Sequence, residues 1–580
     1  MFTLKIHRQD YSIFSLQSIT DPCNIKEFTT PDKVIGLFHE DIVNFNEDTK
    51  QNTCIKRLSL PVKIIGVLEL YSKYSFKPNK RGVPAYIFTP LNTNYPKCIV
   101  HSTIRRKYSK NVLLTVDYTK WDKTSKFASG NINNIYGVIN DTKAIQESIL
   151  TKYNLPVYKL KYNLSDIDLS YKNLLDTPSD REFVHGDIIS IDPVGCTDID
   201  DALTITHKNG NIIFDIHIAD VFYLLTQLNL INQVTNVTSI YLDTFIKHML
   251  PTIISSNYGS LIAGSTRFML SLEIDYNPKN NSIISSKLRK TYGKITKNYS
   301  YDNYPKRYYK YAKHIENIYE IVTGEKFNIY DSHKLIEGIM VIYNTEFCKV
   351  LHKEGKQPIY RIQKSSKINC STDKKDSFDK VDDKVDDKVD DKLSNFMSLI
   401  QSKCAEYSFL QEMHSSLKIK TYTHATSPLR RIVDLINQEI FYSGVKTIED
   451  RITIIHINDY NKKLKRAYRD INKIILAQKV YETSEYNTEC YVYDVDINLN
   501  KLYLYFPKEN ISIKTSIVHN KIGHMYTLTL ENGTLFIRDI NDNDMQFKLN
   551  ILIDVKINGK PDIYNPDKSI IIQFKNIFLE

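Results

Sequence analysis

The chain has 580 residues, 42% hydrophobic and 25% charged, which is enough for three or four domains and excludes an intrinsically disordered protein. Lys and Arg number 77 against 67 Asp and Glu, a net charge of +10 that suits a polyanionic partner, and 40 Tyr with 24 Phe add faces on which unpaired bases stack. The N-terminal MFTLKIHRQDYSIF is broken by charge and no run nears the ~18 apolar residues of a membrane span, so an intracellular protein without signal peptide or membrane segment is expected. The eight cysteines form no CxxC pair and read as reduced thiols, which argues against zinc.

In chain order, residues 1–58 read as short strands and turns. Residues 59–128 hold the β-type runs VKIIGVLELY, AYIFTP, KCIV and NVLLTVDY, divided by turns such as Lys80-Arg81-Gly82, and predict a small barrel. Arg105, Arg106 and Lys107 beside Tyr108 would give that barrel phosphate contacts, or serve solubility alone. A helix is expected over Thr142–Lys152.

The stretch 190–202, SIDPVGCTDIDDA, sets Asp192, Asp198, Asp200 and Asp201 within ten positions around a Pro193-Val194-Gly195 turn. Strand-like runs at 185–191 and 203–206 flank it, so it is expected to be an ordered loop at a sheet edge. Carboxylates this crowded repel one another unless a divalent cation neutralises them, and hard oxygen ligands suit Mg²⁺ or Mn²⁺; the competing reading is a solvated acidic turn. A calcium loop of the EF-hand kind fails on position: counted from Asp192, Thr197 stands where the glycine belongs and Leu203 where the bidentate Glu belongs. The following FDIHIADV reads as a core strand with a satisfied His217, and Asp220 as the cap of the next helix.

From 305 to 485 helical periodicity dominates, with helices expected at 305–324, 331–354, 393–416, 428–443 and 453–485. The three VDDK repeats within 373–392 carry too little apolar content for a core and read as a disordered insertion. In 421–437, TYTHATSPLRRIVDLIN, Ser427 is a natural N-cap and Pro428 fits the first helical position. Arg430 and Arg431 then fall in the first turn, where cations are unfavourable unless an anion such as phosphate is held; the bland alternative is a capped surface helix whose arginines pair locally. Residues 487–580 return to strands spaced as in an OB barrel.

The aspartate block and the downstream Thr-Ser-Pro-x-Arg-Arg motif, in that order, resemble the RNB exoribonucleases (the ribonuclease II, ribonuclease R and exosome catalytic subunit type), and the Asp-Pro-x-Gly-Cys spelling is nearest to the eukaryotic branch. The resemblance implies a multidomain α+β protein: a truncated cold-shock-like OB domain at 1–58, a second with a linker at 59–164, a mixed α/β RNB catalytic domain at 165–486 and a C-terminal RNA-binding OB domain at 487–580. It implies a Mg²⁺-dependent 3′→5′ exoribonuclease that hydrolyses single-stranded RNA to nucleoside 5′-monophosphates, with two Mg²⁺ (or Mn²⁺) on Asp192, Asp198, Asp200 and Asp201. Asp200, Arg430 and Tyr301 are its expected catalytic residues; Tyr241, Ser427, Arg430 and Arg431 are expected to hold RNA. No N-terminal endonuclease (PIN) domain is seen, so exosome-type association is not expected. Ala425, Ile432, Gly338 and Tyr468 depart from the family pattern, Gly338 and Tyr468 where relatives carry Glu. These departures leave a second reading, a catalytically weak RNA-binding protein.

Overall fold

The computed structural model describes residues 1–7, 13–21, 23–29, 36–46, 51–56, 63–73, 76–121, 125–176, 178, 180–364, 404–483, 486–498, 501–516, 527–531, 534–538, 544–548 and 552–574. The VDDK stretch 373–392 lies outside them. The chain divides into two compact units, one of 1–156 with 463–580 and one of 157–462. The divisions fall in the expected linker and within the long helix Ile454–Glu482.

In the first unit the strands Lys63–Glu69, Ala85–Pro90, Cys98–His101, Val112–Lys120 and Ala128–Val138 close into a barrel, in which the third and fifth run parallel. This is the strand order of an OB fold. Its core is apolar side chains from alternate positions, among them Leu68, Phe88, Val100, Leu114 and Val116. The strands of 2–56 pair first to second, second to third, first to fourth and fourth to fifth, the same order without closure among the described residues. The C-terminal strands Tyr486–Asp496, Lys501–Phe506, Ile511–Ser516, Leu552–Gly559 and Ile570–Phe574 repeat it, with a three-stranded meander between the third and fourth. The helix Thr142–Lys152 forms where expected, capped by Asp141, whose Oδ1 accepts the Ala144 N–H at 2.7 Å.

The second unit is built on a six-stranded sheet of Glu182–Phe183, Ser282–Ser300, Ile188–Asp192, Asp201–Lys208, Asn211–Ala219 and Thr266–Asn277 in that order, and the last strand also pairs with Ser282–Ser300. The strand Asn211–Ala219 is buried along both faces, as its near-continuous apolar run requires. His217, fully buried, bonds Ser271 at 2.6 Å and Thr204 at 2.9 Å; burial holds its imidazole neutral, down to about 3. Asp220 caps Val221–Gln227 through the Tyr223 N–H at 3.2 Å and also pairs with the buried Arg181 at 2.7 Å.

Helices form at Ala312–Thr323, Ser332–Lys353, Ile432–Ser443 and Ile454–Glu482, and at Leu164–Asp176, which sequence reasoning missed because only Ile167 and Tyr171 of its turns are buried. The expected helix 393–416 is not found in its described part: Glu406–Ser408 is a strand paired with Tyr360–Ile362. Tertiary pairing here overrides local propensity. Among the described residues no helix is long and apolar enough to cross a membrane.

Candidate active site

The strand Ile188–Asp192 delivers Asp192 at its end, and the chain turns back through Pro193, with the Cys196 N–H donating to the Pro193 carbonyl at 3.1 Å. Gly195 takes φ +80° in that turn, which a residue with a Cβ adopts only at a cost. The loop is pinned by Ser260, whose Oγ accepts the Ile199 N–H at 2.9 Å and donates to the Thr197 carbonyl at 2.8 Å. The Asp200 carbonyl accepts the Ala219 N–H at 2.8 Å, and Asp201 opens the next strand opposite Ile218. The block is therefore an ordered loop, as expected, but it joins two inner strands of the sheet and does not lie at the sheet's edge.

Arg430 and Arg431 arrive differently from the expectation. Ser427 is not an N-cap and Pro428 is not helical: 427–431 is a turn, in which the Ser427 carbonyl accepts from both the Arg430 and Arg431 N–H groups, and the helix begins at Ile432 with Arg431 extended at its cap. The cause is Asp434, fully buried in the first helical turn. Its Oδ1 accepts the Ser427 N–H at 2.7 Å and Arg431 Nη2 at 2.8 Å, folding the segment back before the helix. The helix itself is sunk in the core with its amides satisfied. Asn437 Oδ1 accepts the Ile359 N–H at 2.9 Å, and Gln438 bridges the Ala219 carbonyl at 2.8 Å and the Phe222 N–H at 3.0 Å.

These elements meet at one cavity of about 550 Å³, and Asp192, Asp198, Asp200, Asp201, Tyr241, Tyr301, Ser427, Arg430 and Arg431 all line it. Asp200, 2% exposed, accepts the Leu429 N–H on Oδ1 at 2.9 Å and Arg430 Nε on Oδ2 at 3.1 Å. Arg430 Nη2 donates to Ser427 Oγ at 2.9 Å, and its side chain remains 44% exposed. Tyr241 donates its hydroxyl to Asp198. Tyr301 stacks on His333 with ring centroids 3.8 Å apart, and its N–H donates to the Asp192 carbonyl at 3.2 Å. Arg431 Nη1 donates to His424 Nδ1 at 3.1 Å, and burial first, then Arg431, holds that imidazole neutral.

Sequence reasoning missed His333, His424 and Asp434. His424 and Asp434 lay within the quoted Thr-Ser-Pro stretch, Asp434 three positions after Arg431, an ion-pair spacing that was readable. His333 carries no local signature. The departure at Gly338 has a steric reason: an added Cβ there would lie 2.8 Å from the Phe327 ring, whereas Glu337 lines the cavity. Gly338→Glu is therefore expected to lower Tm by several degrees without raising the rate of any reaction in this cavity, read by calorimetry and a turnover assay. A faster enzyme would show that the position faces the site. Tyr468 lies in the part of its helix that belongs to the first unit.

Burial pushes the Asp192 carboxyl up to about 6, against the Ser190 hydrogen bond and with the help of Asp198. Burial likewise pushes Asp200 up to about 7, although Arg430 and the Leu429 N–H oppose it. Asp201 is raised well above the usual range by burial and then by Asp192 and Asp200. For Arg430 burial alone would lower the pKa, but Asp200 outweighs it and the guanidinium stays charged. Five carboxylates, with Glu337, thus face two guanidinium groups, one already paired to Asp434. Among the described residues no three acidic, His or Cys side chains are gathered as ready ligands of one ion, and Arg430, Leu429, Tyr241 and Ser190 occupy carboxylate oxygens of Asp200, Asp198 and Asp192. The donor set still fits a hard divalent cation: four crowded oxygen acids, under-compensated by cations, of which burial raises Asp192, Asp200 and Asp201 in pKa.

The RNB domain model matches residues 180–323 and 312–446, and the Dis3-like cold-shock domain 2 (CSD2) model matches 85–154. The human exosome complex exonuclease RRP44 is 21% identical over 488 residues, covering 69% of this chain and 49% of its own length. The chain spans about half the length of the curated RRP44 relatives of mouse and human. Mycoplasma genitalium RNase R, solved with ribose-methylated single-stranded RNA, superposes with TM-score 0.71 at 16% identity, covering 99% of this chain and 100% of that one. Yeast Ssd1, described as a pseudonuclease, superposes with TM-score 0.56 at 14% identity, covering 93% and 81%. The chain thus carries an RNB domain across 180–446 behind a Dis3-like cold-shock domain, and it is similar to the RNB exoribonucleases in fold as well as in sequence.

Proposed function

We propose that the protein is a Mg²⁺-dependent 3′→5′ exoribonuclease that hydrolyses single-stranded RNA to nucleoside 5′-monophosphates. The observation that carries this reading is the convergence of the four aspartates and Arg430 on one cavity, together with the aromatic faces of Tyr241 and Tyr301. Arg430 engages Asp200 and Ser427 through Nε and Nη2, and the partly exposed guanidinium has further N–H groups for a phosphate oxygen. Arg431, tied to Asp434 and His424, adds positive potential and holds the turn that presents Arg430. The stacked Tyr301–His333 pair offers a rigid face to a terminal base, and Tyr241 a second one. Asp192, Asp198, Asp200 and Asp201 would hold the divalent cation, which when bound would supply charge neutralisation at the phosphodiester and activation of a water.

The test follows 5′-labelled and 3′-labelled RNA of equal length with Mg²⁺ and with EDTA, alongside DNA and blunt duplex RNA at fixed salt. Mononucleotide release from the 3′ end of unpaired RNA, abolished by EDTA and slowed by salt, is expected. Internal fragments, or equal degradation of DNA, would overturn the substrate class. Tight RNA binding without any release would instead support a binding protein that kept the fold.

A further inference from the structure

A second cavity of the same unit, of about 680 Å³, is lined by Tyr158, Lys159, Tyr162, Ile246, Lys247 and His248 among others, and none of its lining residues among those described is acidic. Its two walls are tied together by one buried amide. Asn236 Oδ1 accepts the Tyr158 N–H at 2.7 Å, and its Nδ2 donates to the Tyr158 and Met249 carbonyls, each at 2.8 Å. Gln233 clamps Lys161 in the same way, at 2.8 Å and 3.0 Å. The stretch 157–162 is thus fixed as an extended wall although it belongs to no helix or sheet, and the opposite wall is the end of the hairpin Ile240–Leu242 and Phe245–Lys247. Between them Tyr158 is 59%, Tyr162 40% and Ile246 47% exposed, an unusual concentration of large apolar surface facing a cavity. Beside these rings stand two lysines and His248, whose Nδ1 is buried without a hydrogen-bond partner among the described residues.

Aromatic rings for a base, cations for a phosphate and no carboxylate to repel it are the chemistry that binds a nucleotide. The position fits too. Ile246 is the direct cross-strand partner of Tyr241, so both side chains leave the same face of the hairpin, one lining this cleft and the other the cavity of the aspartates. We propose that the cleft is a second nucleotide-binding subsite, which takes one base and its phosphate next to the aspartate cavity. The inference rests on the reading that the cavity handles RNA. A base with its phosphate has two sources, a nucleotide of the bound strand or a free nucleoside 5′-monophosphate.

The test is photo-cross-linking of the full chain carrying Asp200→Asn, with 4-thiouridine 5′-monophosphate in one arm and, in the other, oligouridylates bearing one 4-thiouridine at successive positions. Adducts on 157–162 or 246–248 are expected, and Tyr158→Ala with Tyr162→Ala should reduce them tenfold or more. Labelling by the mononucleotide alone assigns the cleft to free nucleotide, and labelling only within an oligonucleotide assigns it to the strand. Lys159→Glu, an exposed change that leaves the walls intact, should weaken labelling by a similar factor. Adducts at Tyr301 with none in the cleft, or cleft adducts unchanged in all these variants, overturn the subsite while leaving the proposed function standing. Cleft adducts in a parent protein that releases no mononucleotide keep the subsite and overturn the hydrolytic reading.

Discussion

Asp200→Asn is expected to slow RNA hydrolysis by about 10³-fold or more while RNA affinity stays within about threefold of the parent. The side chain is buried and fully engaged, with Leu429 on one oxygen and Arg430 on the other. Asparagine keeps the volume but offers one oxygen and one NH₂, so a donor must face either the Leu429 N–H or the guanidinium. The variant therefore loses a hard anionic ligand and the anchor that orients Arg430 in the same step. Binding is spared because phosphate and stacking contacts are spread over many groups, none of them Asp200. Single-turnover release of mononucleotide and equilibrium binding, measured on the same preparation, separate the two. Turnover comparable to the parent would mean that the cavity is not the reaction centre.

What made the site legible was contiguity. Four aspartates within ten positions, and two arginines behind Thr-Ser-Pro, announce themselves in a linear reading because each group is contributed by a single loop. Tyr241 and Tyr301 are different: a lone tyrosine in a chain with 40 of them carries no local signal, and only the family spacing pointed to these two, while Tyr422, which also lines the cavity, was missed. The geometry around Arg430 was misread because Ser-Pro is a strong helix-start pattern. The local rule lost to a tertiary one, since the buried carboxylate of Asp434 claims the Ser427 N–H and bends the chain before the helix begins. His333 was out of reach altogether, because its role depends on a helix meeting the chain just after Ser282–Ser300, more than thirty positions away from the residue it stacks on. The barrel of the first unit was readable from alternation, whereas Glu406–Ser408 took strand form only through its partner Tyr360–Ile362.

The same under-compensated carboxylates predict a stability profile. In the presence of EDTA the protein is expected to be more stable near pH 5 than near pH 8, and Mg²⁺ is expected to reverse part of that loss at pH 8 but little of it at pH 5. The sign follows from the direction of the shifts. The Asp192 carboxyl is pushed up to about 6 and that of Asp200 to about 7 in the folded chain, and burial raises Asp201 in the same direction, against roughly 3.9 for an unfolded Asp. Between those values the folded state holds more protons than the unfolded one, so stability falls as pH rises through the window and the contribution is lost above about 7. Below about 4 it is fully present. A divalent cation binds the deprotonated carboxylates of the folded state alone, so its stabilisation grows where the protons have left. Ordinary paired carboxylates, such as Asp215 with Arg289, contribute a background of their own, so the comparison must be internal. Asp201→Asn removes one raised acid and should flatten the fall in Tm between pH 5 and pH 8 by several degrees, at roughly 2–4 °C per kcal/mol for a unit of this size. The same variant should halve or abolish the Mg²⁺-induced rise in Tm at pH 8. Differential scanning calorimetry of parent and variant at both pH values, with EDTA and with Mg²⁺, measures all of this directly. Parallel pH profiles with no response to Mg²⁺ in either protein would mean that these aspartates are a solvated acidic turn and not a cation site.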